Sequence, residues 1–173
     1  MGRNHHESSG KKVSCAVITV SDRRNKKTDK SGKLMIDLLT HSKHEVKEYR
    51  VIPDEKVIIQ QTIKDIIRNK DIEAVIVTGG TGISQRDVTI EAIQPLFVKE
   101  LPGFGELFRF LSYQLDIGSK SMLSRAIAGV ANNRIIFITP GSTGAVKLAM
   151  NKLILPELGH VVMEIYKDLE QNN

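Results

Sequence analysis

Few features restrict a fold as tightly as a β-branched run that stops in clustered glycines and resumes as a helix. Here the run is Glu73-Ala74-Val75-Ile76-Val77, followed by Thr78-Gly79-Gly80-Thr81-Gly82-Ile83-Ser84-Gln85-Arg86-Asp87-Val88-Thr89. The run is short and apolar on consecutive residues, as expected of a parallel strand buried on both faces. Glu91-Ala92-Ile93 can then carry a helix, completing a strand, a loop and a helix. Gly79, Gly80 and Gly82 let the backbone turn sharply and approach a ligand, and the amides of such a loop, with the next helix N-terminus, point at anions. A tight glycine turn without a ligand is the other reading of the same residues.

Counting excludes two familiar phosphate loops. G-x-G-x-x-G starting at Gly80 would need glycine where Gln85 stands, and a P-loop starting at Gly79 or Gly80 would need Gly-Lys-Ser/Thr where Ser84 and Gln85 begin. What remains is an anion cradle with a carboxylate, Asp87, shortly after Gly82.

The 173 residues suit one core, expected as a single domain over residues 12–170 behind a disordered polar arm over 1–11. No apolar run approaches the roughly 18 residues of a membrane span, and the N-terminal residues are too polar for a secretory segment, so a soluble, cytoplasmic protein is expected. The net charge of +5 is spread along the chain, and aromatic residues are few, so no nucleic-acid partner is expected and the charge suits a small anionic ligand. Cys15 lies inside an apolar run and reads as a small buried hydrophobe. His5 and His6 lack further ligands nearby and do not make a metal site.

Lys12 to Val20 reads as a first strand ending in Ser21-Asp22. These two are candidate ligand contacts, although a Ser or Asx turn explains them equally well. Leu34, Met35, Leu38 and Leu39 predict a helix over 29–40, and Glu45 to Ile52 a second strand followed by Pro53-Asp54-Glu55. Ile59, Ile63, Ile66 and Ile67 predict the next helix, at whose start Asp54 is either an N-cap or a site residue. Asp87 carries the same ambiguity before a short helix over 88–95, which Pro95 ends. A further apolar helix is expected over 106–116. Ser124 to Ala131 and Arg134 to Thr139 predict a hairpin turning at Asn132-Asn133, its second strand in the central sheet. Pro140-Gly141-Ser142-Thr143-Gly144 repeats the strand, loop and helix pattern, and Pro156 is expected to open a separate last helix.

Alternating strands and helices predict an α/β fold: three layers, α/β/α, around a mainly parallel open sheet with a β-hairpin. Loops at the strand C-termini gather in such folds, so Ser21, Asp22, Asp54, Gly79 to Asp87, Gly141 and Ser142 are expected around one cleft. Two carboxylates, Asp54 and Asp87, beside a phosphate cradle suit a hydrated Mg²⁺ that completes its shell with phosphate oxygens. Zinc hydrolysis and serine acyl transfer lack their motifs here.

Thr78-Gly-Gly-Thr-Gly82, Arg86-Asp87-Val88-Thr89, Pro53-Asp54-Glu55, Ser124-Arg125 and Pro140-Gly141-Ser142, in this order, resemble the molybdopterin-binding family of molybdenum cofactor biosynthesis, over nearly all of residues 12–168. The resemblance implies the molybdopterin-binding fold and adenylyl transfer from Mg-ATP to the terminal phosphate of molybdopterin, with release of pyrophosphate. It places Asp54 and Asp87 on the family's functional aspartates, here assigned to Mg²⁺ and phosphate positioning. Thr78, Gly79, Gly80, Thr81 and Gly82 would hold phosphate, and Ser21, Asp22, Gly141 and Ser142 the pterin or pyrophosphate end. Thr143-Gly144 and Ile90 depart from a pattern in which many adenylyltransferase relatives carry proline, which bears on substrate detail. A non-catalytic molybdopterin carrier or scaffold working with other proteins of the same pathway is the alternative. The resemblance also implies a homo-oligomer, a trimer or hexamer, with residues 104–115 and the hairpin near Asn132 as candidate contacts.

Overall fold

The computed structural model describes residues Gly10–Leu169. Most of the arm expected over 1–11, with His5 and His6, lies outside the described residues. Six strands, β1 (Ser14–Val20), β2 (Glu45–Ile52), β3 (Ala74–Thr78), β4 (Lys99–Glu100), β5 (Ile127–Ala131) and β6 (Arg134–Thr139), form one sheet in the order β2-β1-β3-β6-β5-β4. β2, β1, β3 and β6 run parallel, while β5 and β4 add an antiparallel edge. The helices are α1 (Lys30–His41), α2 (Lys56–Arg68), α3 (Thr89–Ile93), α4 (Pro102–Leu115), α5 (Thr143–Ala149) and α6 (Leu155–Tyr166).

Strand periodicity divides the core into two layers. Val17, Ile76 and Phe137 are in register across β1, β3 and β6 and meet α1, α4, α5 and α6 on one face. Ile18, Val77 and Ile138, one residue on, meet α2 and α3 on the other. Every one of these six side chains is buried, each contributing about 1.5–3 kcal/mol relative to exposure. The mainly parallel three-layer expectation therefore holds, because the central strands are apolar on both faces.

The Asn132-Asn133 hairpin forms with both residues in the left-handed region, φ 47° and 58°, which asparagine tolerates. Several boundaries differ from expectation. The first strand begins at Ser14 and the first member of the hairpin at Ile127. α4 begins at Pro102, since proline in a first turn forfeits only an amide without an intrahelical partner. β4, too short for a periodic signal, pairs with Gly129 and Val130. No new helix starts at Pro156. The chain continues from α5 through a π turn, Met150–Ile154, into α6, with the Leu155 amide reaching back to the Met150 carbonyl. Widening the turn there accommodates a ring that would otherwise strike the preceding turn's carbonyl.

The row that ends the parallel strands is polar. Thr19, Thr78 and Thr139 lie in register, fully buried, Thr78 and Thr139 as the last residues of β3 and β6 and Thr19 one residue before the end of β1. β1 connects to β2 on one side while β3 flanks it on the other, so the sequence direction reverses between β1 and β3, where open α/β sheets place ligands.

Candidate functional site

A cleft of about 440 Å³ opens at this point, lined by Ser21, Arg24, Asp54, Gly79, Gly80, Thr81, Gly82, Asp87, Lys120, Ser124, Pro140 and Gly141, with apolar contributions from Val20, Ile117 and Leu123. The glycines meet separate demands. Gly79 (φ 97°) passes so near β1 that an added Cβ would lie 2.2 Å from the Val20 carbonyl oxygen. A Cβ on Gly80 (φ 64°) would lie 2.2 Å from Thr89 Oγ1 and 2.4 Å from Asp54 Oδ1, and one on Gly82 would lie 2.6 Å from Asp87 Oδ2.

The direction of the loop's peptides follows from what holds their carbonyls. Thr89 Oγ1 donates to Gly79 O at 2.8 Å and the Thr89 amide to Gly80 O at 3.0 Å. Arg125 Nε donates to Thr81 O at 3.2 Å. In a planar trans peptide the next residue's N–H points opposite to the carbonyl, so the amides of Gly80, Thr81 and Gly82 point away from α3 and Arg125. Among the described residues these three amides have no protein hydrogen-bond acceptor. Consecutive free amides at glycine-rich backbone form an anion nest. Gly79 differs: its amide is spent on Thr139 O at 3.1 Å, so it shapes the cradle and leaves donation to its neighbours.

Neither aspartate caps a helix through its side chain. The residue preceding α2 is Glu55 and that preceding α3 is Val88, neither with a side-chain cap bond. Asp87 Oδ2 instead accepts the Ser84 amide at 3.1 Å and a short bond from Ser84 Oγ, bracing the loop beside Gly82. Asp54 Oδ1 is buried, has no hydrogen-bond partner among the described residues and faces Gly80. Desolvation raises the Asp54 pKa from its ordinary value, the Asp22 and Asp87 charges raise it further, and Arg86 opposes them. A buried carboxylate oxygen left unpaired beside other carboxylates is suited to a cation. No three acidic, His or Cys side chains among the described residues gather as a metal cluster, so a Mg²⁺ on Asp54 and Asp87 would depend on ligand phosphates and water.

The other expected residues divide by role. Asp22 Oδ1 accepts the Asp54 amide at 3.0 Å and Oδ2 pairs with Arg86 Nη2 at 2.6 Å, so Asp22 supports Asp54 from outside the cleft lining. Those bonds, Arg86 foremost, hold its carboxyl below the ordinary range. Ser21 Oγ accepts the Arg23 and Arg24 amides, both at 3.2 Å, in a turn that brings Arg24 to the cleft. Arg24 is tethered 3.6 Å from buried Asp29, itself the N-cap of α1 and the acceptor of the Tyr49 hydroxyl. Thr78 is buried, its Oγ1 donating to Pro140 O at 2.9 Å, which ties the two glycine loops together beneath the cleft. Gly141 lines the cleft and accepts Ser31 Oγ at 2.8 Å. Ser142 lies outside the lining and caps α5 by accepting the Ala145 amide at 3.2 Å.

Sequence reasoning missed the cations. Arg24 and Lys120 border the cleft, Arg86 pairs with Asp22, and Arg125 clasps Thr81 O, Asp87 O and the Glu91 carboxylate. They come from separate loops, with no spacing to mark them.

Comparison with known proteins adds to this geometry. Residues 16–160 match a family described as a probable molybdopterin binding domain. The chain is 56% identical over 166 residues to molybdenum cofactor biosynthesis protein B of Bacillus subtilis, covering 96% of this chain and 98% of that protein. A crystal structure of molybdenum cofactor biosynthesis protein B, 52% identical, superposes with a TM-score of 0.89 over 91% of this chain and 98% of the other. The tungsten cofactor synthesizing protein MoaB from Pyrococcus furiosus, 38% identical, superposes with a TM-score of 0.80 over 90% of this chain and 98% of its own.

Proposed function

Because the chain belongs to the molybdopterin-binding domain family and so to molybdenum cofactor biosynthesis, we propose that its cleft transfers the adenylyl group of ATP to the terminal phosphate of molybdopterin. An oxygen of the pterin phosphate forms a bond to the α-phosphorus of ATP, the bond from that phosphorus to the β-phosphate bridging oxygen breaks, and pyrophosphate leaves. The nucleophile is already anionic near neutral pH, with a second phosphate pKa of about 6, so it needs alignment and screening more than a strong base. The amides of Gly80, Thr81 and Gly82 supply fixed donors where phosphate charge gathers, and they need no reorientation during the reaction. Arg24 and Lys120 add positive charge at the rim.

Asp54 and Asp87 are the residues that would hold Mg²⁺, which when bound neutralises phosphate charge. Asp22 keeps the Asp54 backbone in place through its amide. The observation that carries this reading is the pairing of three free amides with the orphaned Asp54 oxygen: one cleft offers complementary sites to a phosphate and to its counter-cation.

The protein would act in the cytoplasm as a homo-oligomer, trimer or hexamer. Exposed Leu107, Phe110, Tyr113 and Leu115 on α4, with Met122 and Leu123 beyond it, support a subunit contact there, since so much apolar surface is unusual on a monomer.

The test is incubation with molybdopterin, ATP and Mg²⁺, following pyrophosphate and adenylylated pterin together. Both are expected in equal amounts. Binding of molybdopterin without adenylylated product, beside an active control enzyme, would replace this reading with a carrier or scaffold.

A further inference from the structure

A concavity of about 570 Å³ lies at the opposite end of the strands and is bordered by Lys11, Lys47, Lys70, Arg134, Asp71 and Glu73. Four cationic side chains face two carboxylates, leaving positive charge in excess. Glu73 is already engaged, with Oε1 3.0 Å from Lys11 Nζ and Oε2 accepting the Ser14 amide at 3.0 Å. Lys47 pairs with Glu45 at 2.7 Å.

Arg134, at the start of β6, is only 8% exposed, yet no carboxylate among the described residues pairs with it. Buried arginines are usually matched by a counter-charge, because a desolvated guanidinium without one is costly. Among the described residues Arg134 has only backbone carbonyls as partners. Nη1 donates to Asn132 O at 3.0 Å and Asn133 O at 3.5 Å, and Nη2 to Asn69 O at 3.3 Å. Nε is buried without a partner among the described residues. A guanidinium carries five N–H donors, so the unused ones are on Nε, which is buried, and on Nη2. The carbonyls hold the guanidinium plane in advance, which reduces the entropy lost on capture.

The geometry points to a second anion site: the pocket at the N-terminal ends of β1, β3 and β6 binds the phosphate group of a small molecule on Arg134, with Lys47 and Lys70 at its rim. The excess positive charge suits an oxyanion, and a phosphate offers the guanidinium and the rim lysines more acceptor oxygens than a carboxylate does. The site is independent of the chemistry assigned to the cleft, being separated from it by the length of the strands.

Inorganic phosphate and phenyl phosphate, as the free and the ester-borne form of this ligand, are titrated at constant ionic strength into the ¹⁵N-labelled full chain, with chloride as the control. Saturable shifts of the Ser14, Glu73 and Arg134 amides are expected, separate from any response at Gly80 to Gly82. Tighter binding of phenyl phosphate would assign an organic phosphate, and tighter binding of the inorganic ion the free anion. K47E/K70E, both on exposed side chains, should weaken the distal response at least tenfold and leave the Gly80 to Gly82 response unchanged. R134K, which keeps the charge but loses the fork, should weaken it comparably; if that variant misfolds, the lysine pair decides. Shifts confined to Gly80 to Gly82, an equal distal response to chloride, or distal binding that survives K47E/K70E would each overturn the proposal.

Discussion

Replacing Asp54 separates a ligand site from a structural cap through the sign of a stability change. An aspartate that capped α2 would lose about 1 kcal/mol on truncation to alanine, or about 2–4 °C in melting temperature for a chain of this size. Asp54 makes no such bond: α2 is preceded by Glu55 without a side-chain cap, and Asp54 Oδ1 accepts no hydrogen bond from the described residues. Its ionised form is instead disfavoured by desolvation and by the Asp22 and Asp87 charges. A carboxyl whose pKa is raised on folding contributes stability that is fully present below its unfolded value, near 3.8, and is lost as pH rises through the folded value. The protein should therefore lose stability with rising pH over that window, and Asp54→Asn and Asp54→Ala should lack this loss. At neutral pH both variants should melt at or slightly above the parent. The gain stays below about 1 kcal/mol because the side chain is only half-buried and water screens its repulsions. Thermal unfolding followed by circular dichroism from acid to neutral pH measures this, and adenylylation by the same variants should fall by roughly 100-fold or more. A drop of about 3 °C at neutral pH with no pH-dependent gap would refute the assignment of Asp54 as an unpaired site carboxylate.

Three other outcomes bear on the loop, on α4 and on the core. Gly80→Ala should cost about 1–2 kcal/mol from its left-handed backbone alone, with a further penalty from the Thr89 and Asp54 contacts, and should abolish phosphate binding in the cleft; Gly103→Ala, on α4 where a Cβ meets nothing within 4 Å, should be neutral or stabilising in the same thermal and binding assays. Burial, reinforced by the Glu73 charge, pushes the Cys15 thiol up to about 12, so a disulfide-exchange reagent at neutral pH should find no reactive thiol in the folded chain and one per chain after denaturation.

The parts of the fold legible in the sequence were those with local, periodic causes. Val75 to Val77 and Ile135 to Ile138 could hardly be anything but buried strands, and the paired asparagines marked the hairpin. The π turn before Pro156 was not legible, because an interrupted helix and a widened one place the same proline after the same apolar residues. At the site, the glycines and both aspartates could be named from the chain, but their partners could not. Asp22 supports Asp54 from 32 residues away, and Arg125 holds Thr81 O from 44 residues away. Such pairings arise from strand order, which sets loops side by side without any mark in local spacing. The capping alternative for Asp54 and Asp87 was reasonable for the same reason. Helix boundaries displaced by one residue, to Glu55 and Val88, remove both aspartates from the cap position.

Glycine clusters make turns as readily as they make sites, and what distinguishes the two is where the peptide dipoles end. A loop built only to reverse the chain can spend its amides on its own carbonyls, whereas consecutive amides left facing a cleft are donors open to a ligand. Here the carbonyls of Gly79, Gly80 and Thr81 are individually bound by Thr89 and Arg125, and that binding turns the following three amides the other way. The same economy fails at Asp54, whose Oδ1 stays unpaired although Gly80 approaches it closely. Each deficit alone would be a cost to the fold. Together they have opposite polarity and share one cleft, so a phosphate with its counter-cation relieves both at once, whereas either ion alone leaves the other deficit in place. Buried Asp29 tethers Arg24 at the edge of the cleft, and exposed Asp22 holds Arg86 outside it. Under the proposed function, the charged pair that relieves both deficits would be a substrate phosphate and its Mg²⁺, met by donors and a carboxylate already fixed in the cleft.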